Sequence, residues 1–106
     1  MLTKGIAIDK SRKLISELRR EGYNPDEAIL FGSIINGHVH EYSDIDLALW
    51  DKKFKGAPII DYEPIKRILV RHNPIELHPF PSGERENDNP FIEVIKKTGE
   101  HIDLNF

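Results

Sequence analysis

The residues best suited to chemistry lie in one stretch. Leu30-Phe31-Gly32-Ser33 is followed, after ten residues, by Asp44-Ile45-Asp46. On an extended strand, residues i and i+2 project to one side, about 6.6 Å apart. Asp44 and Asp46 would therefore share a face. Two bare carboxylates side by side repel, so a fold gains from the pair only if a cation joins it. Two divalent ions about 3.5–4 Å apart could bridge the pair and bind phosphate oxygens beyond it. Mg²⁺ in such sites takes one or two carboxylates plus substrate phosphates. A third carboxylate from a neighbouring strand would complete the set. Glu76 is the acid of the next strand-like segment and lies in phase with His78 rather than with the apolar positions.

Gly32-Ser33 supplies the other half. Backbone N–H groups at a helix start attract anions, and glycine lets a phosphate come close. Ser33 adds a hydroxyl donor, and Gly37 would release the chain from the turn. One element would grip a polyphosphate while the other holds the metals that neutralise it. That division suits phosphoryl or nucleotidyl transfer, in which positioning and charge stabilisation do most of the catalysis. Each half alone has a plainer reading: Gly-Ser after a strand is commonly a turn, and Asp-x-Asp a solvated strand face.

The elements that must position these residues can be read from periodicity. Ile6 to Glu21 has Ile8, Leu14, Ile15 and Leu18 at helical spacing, with Gly22 as a C-terminal cap and Asn24-Pro25 as a stop. Glu27 to Phe31 reads as a buried strand, and Ile34-Ile35-Asn36 as a short helical turn. His38 to Ser43 is a polar loop. Asp44 to Trp50 alternates, with Ile45, Leu47 and Leu49 toward the core, which predicts a strand with one core-facing side. Lys52 to Pro58 is loop. Asp61 to His72 reads as a helix with Asp61 as N-cap and Pro64 in its first turn, and Asn73-Pro74 ends it. Ile75 to Phe80 is a third strand, which Pro79 and Pro81 mark as an edge or an end. After the loop Ser82 to Asp88, Asn89-Pro90 opens a helix through Lys97 that Gly99 closes, and His101 to Phe106 would form a last short strand. This order predicts an α/β (α+β) domain, a small mixed sheet flanked by helices.

Composition narrows the function classes. The 106 residues correspond to one domain, 1–106. With 15 basic and 18 acidic side chains, the net charge is −3, which gives no general excess for holding a phosphate backbone. Direct nucleic-acid binding is not expected. No apolar run is long enough for a membrane span, Met1 to Lys4 begins no signal sequence, and cysteine is absent. A cytoplasmic location is the expectation. A domain this small buries only about 65% of its unfolded surface, so an active site would be a shallow groove or be completed by a partner.

Gly32-Ser33, ten residues, then Asp44-Ile45-Asp46, within Ser43-Asp44-Ile45-Asp46-Leu47, resembles the signature of the DNA polymerase β-like nucleotidyltransferase superfamily, and the short length resembles its minimal nucleotidyltransferase branch. The specific resemblance covers Ile29 to Trp50; a weaker one runs through Ile75-Glu76-Leu77 and Asn89-Pro90-Phe91. It implies that Asp44 and Asp46 bind Mg²⁺, that Gly32 and Ser33 contact the nucleotide triphosphate, and that Glu76 is the third carboxylate, where many members carry Asp. Small members resemble the antitoxin half of a two-protein module whose partner is a HEPN-domain toxin. The resemblance thus implies transfer of AMP from ATP to a toxin tyrosine, or neutralisation by contact alone, in a homo- or hetero-oligomer. A small-molecule nucleotidyltransferase is a further alternative, disfavoured because such relatives carry an additional acceptor-binding domain.

Other residues are less specific. His38 and His40 form an H-x-H with no partners for a zinc site, so a loop or nucleotide contact is the simpler expectation. His78 would share a face with Glu76 and could support it. Trp50 is expected to pack or to face a partner. Lys52-Lys53-Phe54-Lys55 reads as a solvated loop, and Arg67 and Arg71 as the exposed face of the second helix.

Overall fold

A computed structural model describes residues 2–37 and 44–106. The expected loop His38–Ser43, and with it any role of His38 and His40, lies outside those residues. Helix α1 spans Lys4–Arg20 because Thr3 caps it: the Thr3 hydroxyl accepts from the Ile6 amide at 3.1 Å. Its inner stripe is Ala7, Ser11, Leu14, Ile15 and Leu18, and the buried Ser11 hydroxyl donates to the Ala7 carbonyl at 2.8 Å. Strand β1 (Glu27–Phe31) runs into the single-turn helix α2 (Ser33–Asn36), which Gly37 ends in a left-handed conformation.

Strand β2 (Ile45–Asp51) pairs antiparallel with β1 and parallel with β3 (Ile75–Pro81). The sheet order is β3-β2-β1-β4. Strand β4 is only Glu100–His101, so the expected last strand shrinks to a two-residue bridge against Ile29 and Leu30. The mixed sheet flanked by helices agrees with the fold class read from the sequence.

The expectation of one core-facing side on the second strand needs correction, because both faces are packed. Ile45, Leu47 and Leu49 join Leu30, Leu77 and the α1 stripe in the larger core cluster. On the other face, Ala48 and Trp50 join Ile29, Phe31 and Phe80 under Ile92 and Ile95 of helix α5 (Pro90–Thr98). Trp50 is fully buried, stacks on Phe80 at 4.9 Å and donates its indole N–H to the Glu84 carbonyl at 3.1 Å. Period-2 alternation marks polar against apolar positions, but alanine and tryptophan are equally at home in a second core layer.

The helix expected over Asp61–His72 is three short pieces: α3 (Pro58–Tyr62), a 3₁₀ turn (Glu63–Ile65) and α4 (Lys66–Arg71). Pro64 sits in the middle piece, where its missing N–H and its ring prevent one continuous helix. Asp61 is not an N-cap. It lies inside α3, buried, and its carboxylate accepts from the amides of Lys55 (2.8 Å), Gly56 (2.9 Å) and Ala57 (3.1 Å). The loop before α3 is folded around that side chain, and Phe54 is buried with it rather than solvated.

Strand β3 is an edge, as Pro79 and Pro81 foretold. Both prolines lack the N–H that an added strand would need. The Ile75 amide donates to the His72 carbonyl at 2.9 Å, and the Leu77 carbonyl accepts from the Tyr62 hydroxyl. At Ile75, Leu77, Pro79 and Pro81 one backbone group of this edge is thereby missing or already bonded.

Candidate active site

The parallel β2–β3 register places Asp46 opposite Glu76 and Ala48 opposite His78, while Phe31 of β1 lies opposite Asp46 on the other flank. These residues continue the face that α5 covers farther along the sheet, at the end where packed core gives way to open surface. Glu76 is exposed, and the Asp46 and His78 side chains keep 23% and 25% of their surface. The side-chain donor atoms of Asp46, Glu76 and His78 lie within 4.8 Å of one another. His78 Nε2 is 3.1 Å from Asp46 Oδ1. With Asp46 ionised, the imidazole N–H is the donor, so this nitrogen cannot ligate a cation at the same time. His78 holds and orients Asp46 in this geometry.

Asp46 is confined on its other side by Gly32. This glycine, the N-cap of α2, has φ 79° and ψ −150°, a region that only glycine visits readily. A Cβ added there would overlap Asp46 Oδ2 and stand 3.2 Å from its Cγ. The chain's turn toward Ser33 is therefore shaped around the Asp46 carboxylate. The first amides of α2, at Ser33 and Ile34, precede any intrahelical acceptor.

Asp44 stands apart from this cluster. It precedes β2, is exposed, and among the described residues is not one of the groups whose donors converge within 4.8 Å. It lines, with Glu76, an open groove of about 640 Å³ beside the outer edge of β3. Tyr62, Lys66 and Val70 line the far wall. Burial raises the Tyr62 phenol above its ordinary value near 10, and the negative charges of Glu76 and Asp61 add to the effect.

Two carboxylates on adjacent strands, with an imidazole fixing one of them, fit a hard divalent cation, for which oxygen donors are preferred. Sequence reasoning found Asp46, Glu76 and the neighbouring His78. It did not single out Phe91, which the structure sets against Phe31 at 5.7 Å and near His78 at 6.2 Å. The signal present was Asn89-Pro90-Phe91, read as a helix start and as part of the weaker family resemblance, with no role given to the Phe91 ring.

Comparison with known proteins places this geometry in a class. The family described as "Polymerase beta, Nucleotidyltransferase" matches residues 12–102. The chain belongs to that nucleotidyltransferase family. A solved structure of a candidate nucleotidyltransferase from Sulfolobus solfataricus has the same fold, with a TM-score of 0.57 at 18% identity over 89% of this chain and 77% of that one. A curated relative from Bradyrhizobium sp., described as transcription antitermination protein NusB, is 33% identical over 95 residues. Those residues are 90% of this chain and 51% of the relative, so the chain spans about half of that protein's length. Among the described residues no helix is long and apolar enough to cross a membrane.

Proposed function

We propose that this chain is a minimal nucleotidyltransferase that transfers AMP from ATP to a tyrosine hydroxyl of a HEPN-domain toxin, acting as the antitoxin of the pair. The observation that carries the reading is the register of β2 and β3, which sets Asp46 beside Glu76 against the Gly32 turn. Family membership and the motif Ser43-Asp44-Ile45-Asp46-Leu47 support the reaction class. A cytoplasmic location accords with it.

Asp46 and Glu76, joined by Asp44 when substrate is present, would hold Mg²⁺, two ions in the full complement. Bound there, Mg²⁺ would neutralise triphosphate charge and polarise the attacked phosphorus. Gly32 and Ser33 would orient the phosphates through backbone amides and the Ser33 hydroxyl. His78 keeps Asp46 in its rotamer, so the carboxylate is set before substrate arrives. The groove beside β3 would admit the acceptor, with the Glu76 carboxylate accepting its hydroxyl proton. The acceptor oxygen then forms a bond to the α-phosphorus as the bond to pyrophosphate breaks, and pyrophosphate leaves.

A second reading, neutralisation by contact alone, draws on one observation: Asp46 Oδ1 already has a protein partner in His78. The two separate cleanly in one experiment. Wild type and Asp46→Asn are each incubated with labelled ATP, Mg²⁺ and the partner toxin, and both label transfer and toxin activity are measured. Transfer that the variant abolishes, with toxicity restored, supports catalysis. Suppression of the toxin by the variant without any transfer supports contact.

A further inference from the structure

Phe91 is a large apolar side chain left 42% exposed beside the site. Its position is fixed rather than incidental. Asn89 caps α5 by accepting from the Phe91 amide at 3.1 Å, and Pro90 sets the first helical residue. The ring meets Phe31 nearly edge-on, at 5.7 Å and 79°. Phe31 in turn meets the His78 ring at 4.9 Å and 62°. Three rings thus form a shelf whose inner members are packed and whose outer member shows a face to solvent. The rest of the inward stripe of α5, Ile92 and Ile95, is buried.

The shelf adjoins the donor side of the site. Phe31 is followed directly by Gly32-Ser33, the corner assigned to the phosphates, and His78 touches Asp46. The open groove lies on the other side, past Glu76 along the β3 edge. An in-line displacement needs the leaving and attacking groups on opposite sides of the phosphorus. With pyrophosphate at the Gly32-Ser33 corner the acceptor falls to the groove, and the nucleoside, which stays on the α-phosphorus beside that axis, is left the aromatic side. A flat, uncharged heterocycle is the ligand that an exposed aromatic face recognises, through stacking rather than hydrogen bonding.

We propose that the exposed face of Phe91, propped by Phe31 and His78, is the platform on which the nucleobase of the bound triphosphate stacks. The proposal rests on the nucleotidyltransferase reading of Asp46 and Glu76 and adds the residue that separates a nucleoside triphosphate from bare polyphosphate. Stacking is tolerant of base identity but grows with ring area, so purines are favoured over pyrimidines.

The test is calorimetric titration of the intact chain, in Mg²⁺, with ATP, CTP and inorganic tripolyphosphate. ATP is expected to bind about tenfold more tightly than tripolyphosphate, with CTP between them. Phe91→Ala should remove that margin and leave tripolyphosphate affinity unchanged. Phe91→Trp should keep or widen it, with indole fluorescence quenched by ATP, and this variant decides the matter if the alanine form does not fold. Equal wild-type affinity for ATP and tripolyphosphate would overturn the stacking while leaving a triphosphate site in place. So would a Phe91→Ala chain that changes its self-association and keeps the ATP margin. Failure of all three ligands to bind would remove the nucleotidyltransferase reading and the platform together.

Discussion

Gly32 and Asp46 are shaped to one another: the glycine's missing side chain is the space that the aspartate's carboxylate occupies. The turn that would hold phosphate and the acid that would hold its counter-ion are thus a single packed unit rather than two neighbouring features. Gly32→Ala must both adopt φ near 79° and displace Asp46. We expect a stability loss of about 1–3 kcal/mol from the backbone alone, measured by urea unfolding, and loss of nucleotide binding measured by calorimetry. Wild-type binding by this variant would dissociate the two elements.

Asp46 and Glu76 face one another across the parallel ladder, where like charges oppose each other and a cation would join them. Mg²⁺ is expected to raise the melting temperature of the wild type; Glu76→Gln should leave the melting temperature in EDTA unchanged or raised, and should abolish that rise. Thermal melts with and without Mg²⁺ check this. An undiminished Mg²⁺ shift in the variant would take Glu76 out of the metal set.

Tyr62 reports the charge on Glu76. Its phenol is raised above the ordinary value near 10 by burial first and by the Glu76 and Asp61 charges next. A raised folded value means that the neutral form is the stabilised one. This contribution is full below pH about 10 and is lost as pH climbs through the folded value. Absorbance titration should show a late-ionising tyrosine that disappears in Tyr62→Phe. In Glu76→Gln the same step should move to lower pH; an unmoved step would separate the two residues electrostatically.

Asp61 holds a loop together from within. Asp61→Ala would leave the amides of Lys55, Gly56 and Ala57 without their acceptor in a buried setting. We expect a loss of about 2–4 kcal/mol, read as a lower urea midpoint. Asp61→Asn should recover part of it, since one carboxamide oxygen remains.

Much of the fold was legible because its signals are local. Gly37 and Asn89 sit at helix ends, and Pro79 and Pro81 mark an edge. What eluded the sequence depended on partners distant along the chain. Asp61 looks like an N-cap until Lys55 to Ala57 fold back on it. The face of Ala48 and Trp50 looks like the open side of the strand until Ile92 and Ile95 arrive above it. The acids of the site were visible as types and spacing. Their relation was not: Asp46 and Glu76 meet through the β2–β3 register, whereas Asp44, only two residues from Asp46, falls outside the cluster because the strand begins after it. Phe91 was given no role because an exposed aromatic acquires meaning only from what lies beside it.

The sealed margin of β3 also governs how this protein meets other chains. With Pro79, Pro81, the His72 carbonyl and the Tyr62 hydroxyl occupying its hydrogen-bonding positions, that border cannot template a foreign strand. Any companion approaching there must be recognised through side chains, and end-to-end polymerisation along this rim is suppressed while the acids beside it stay open to water.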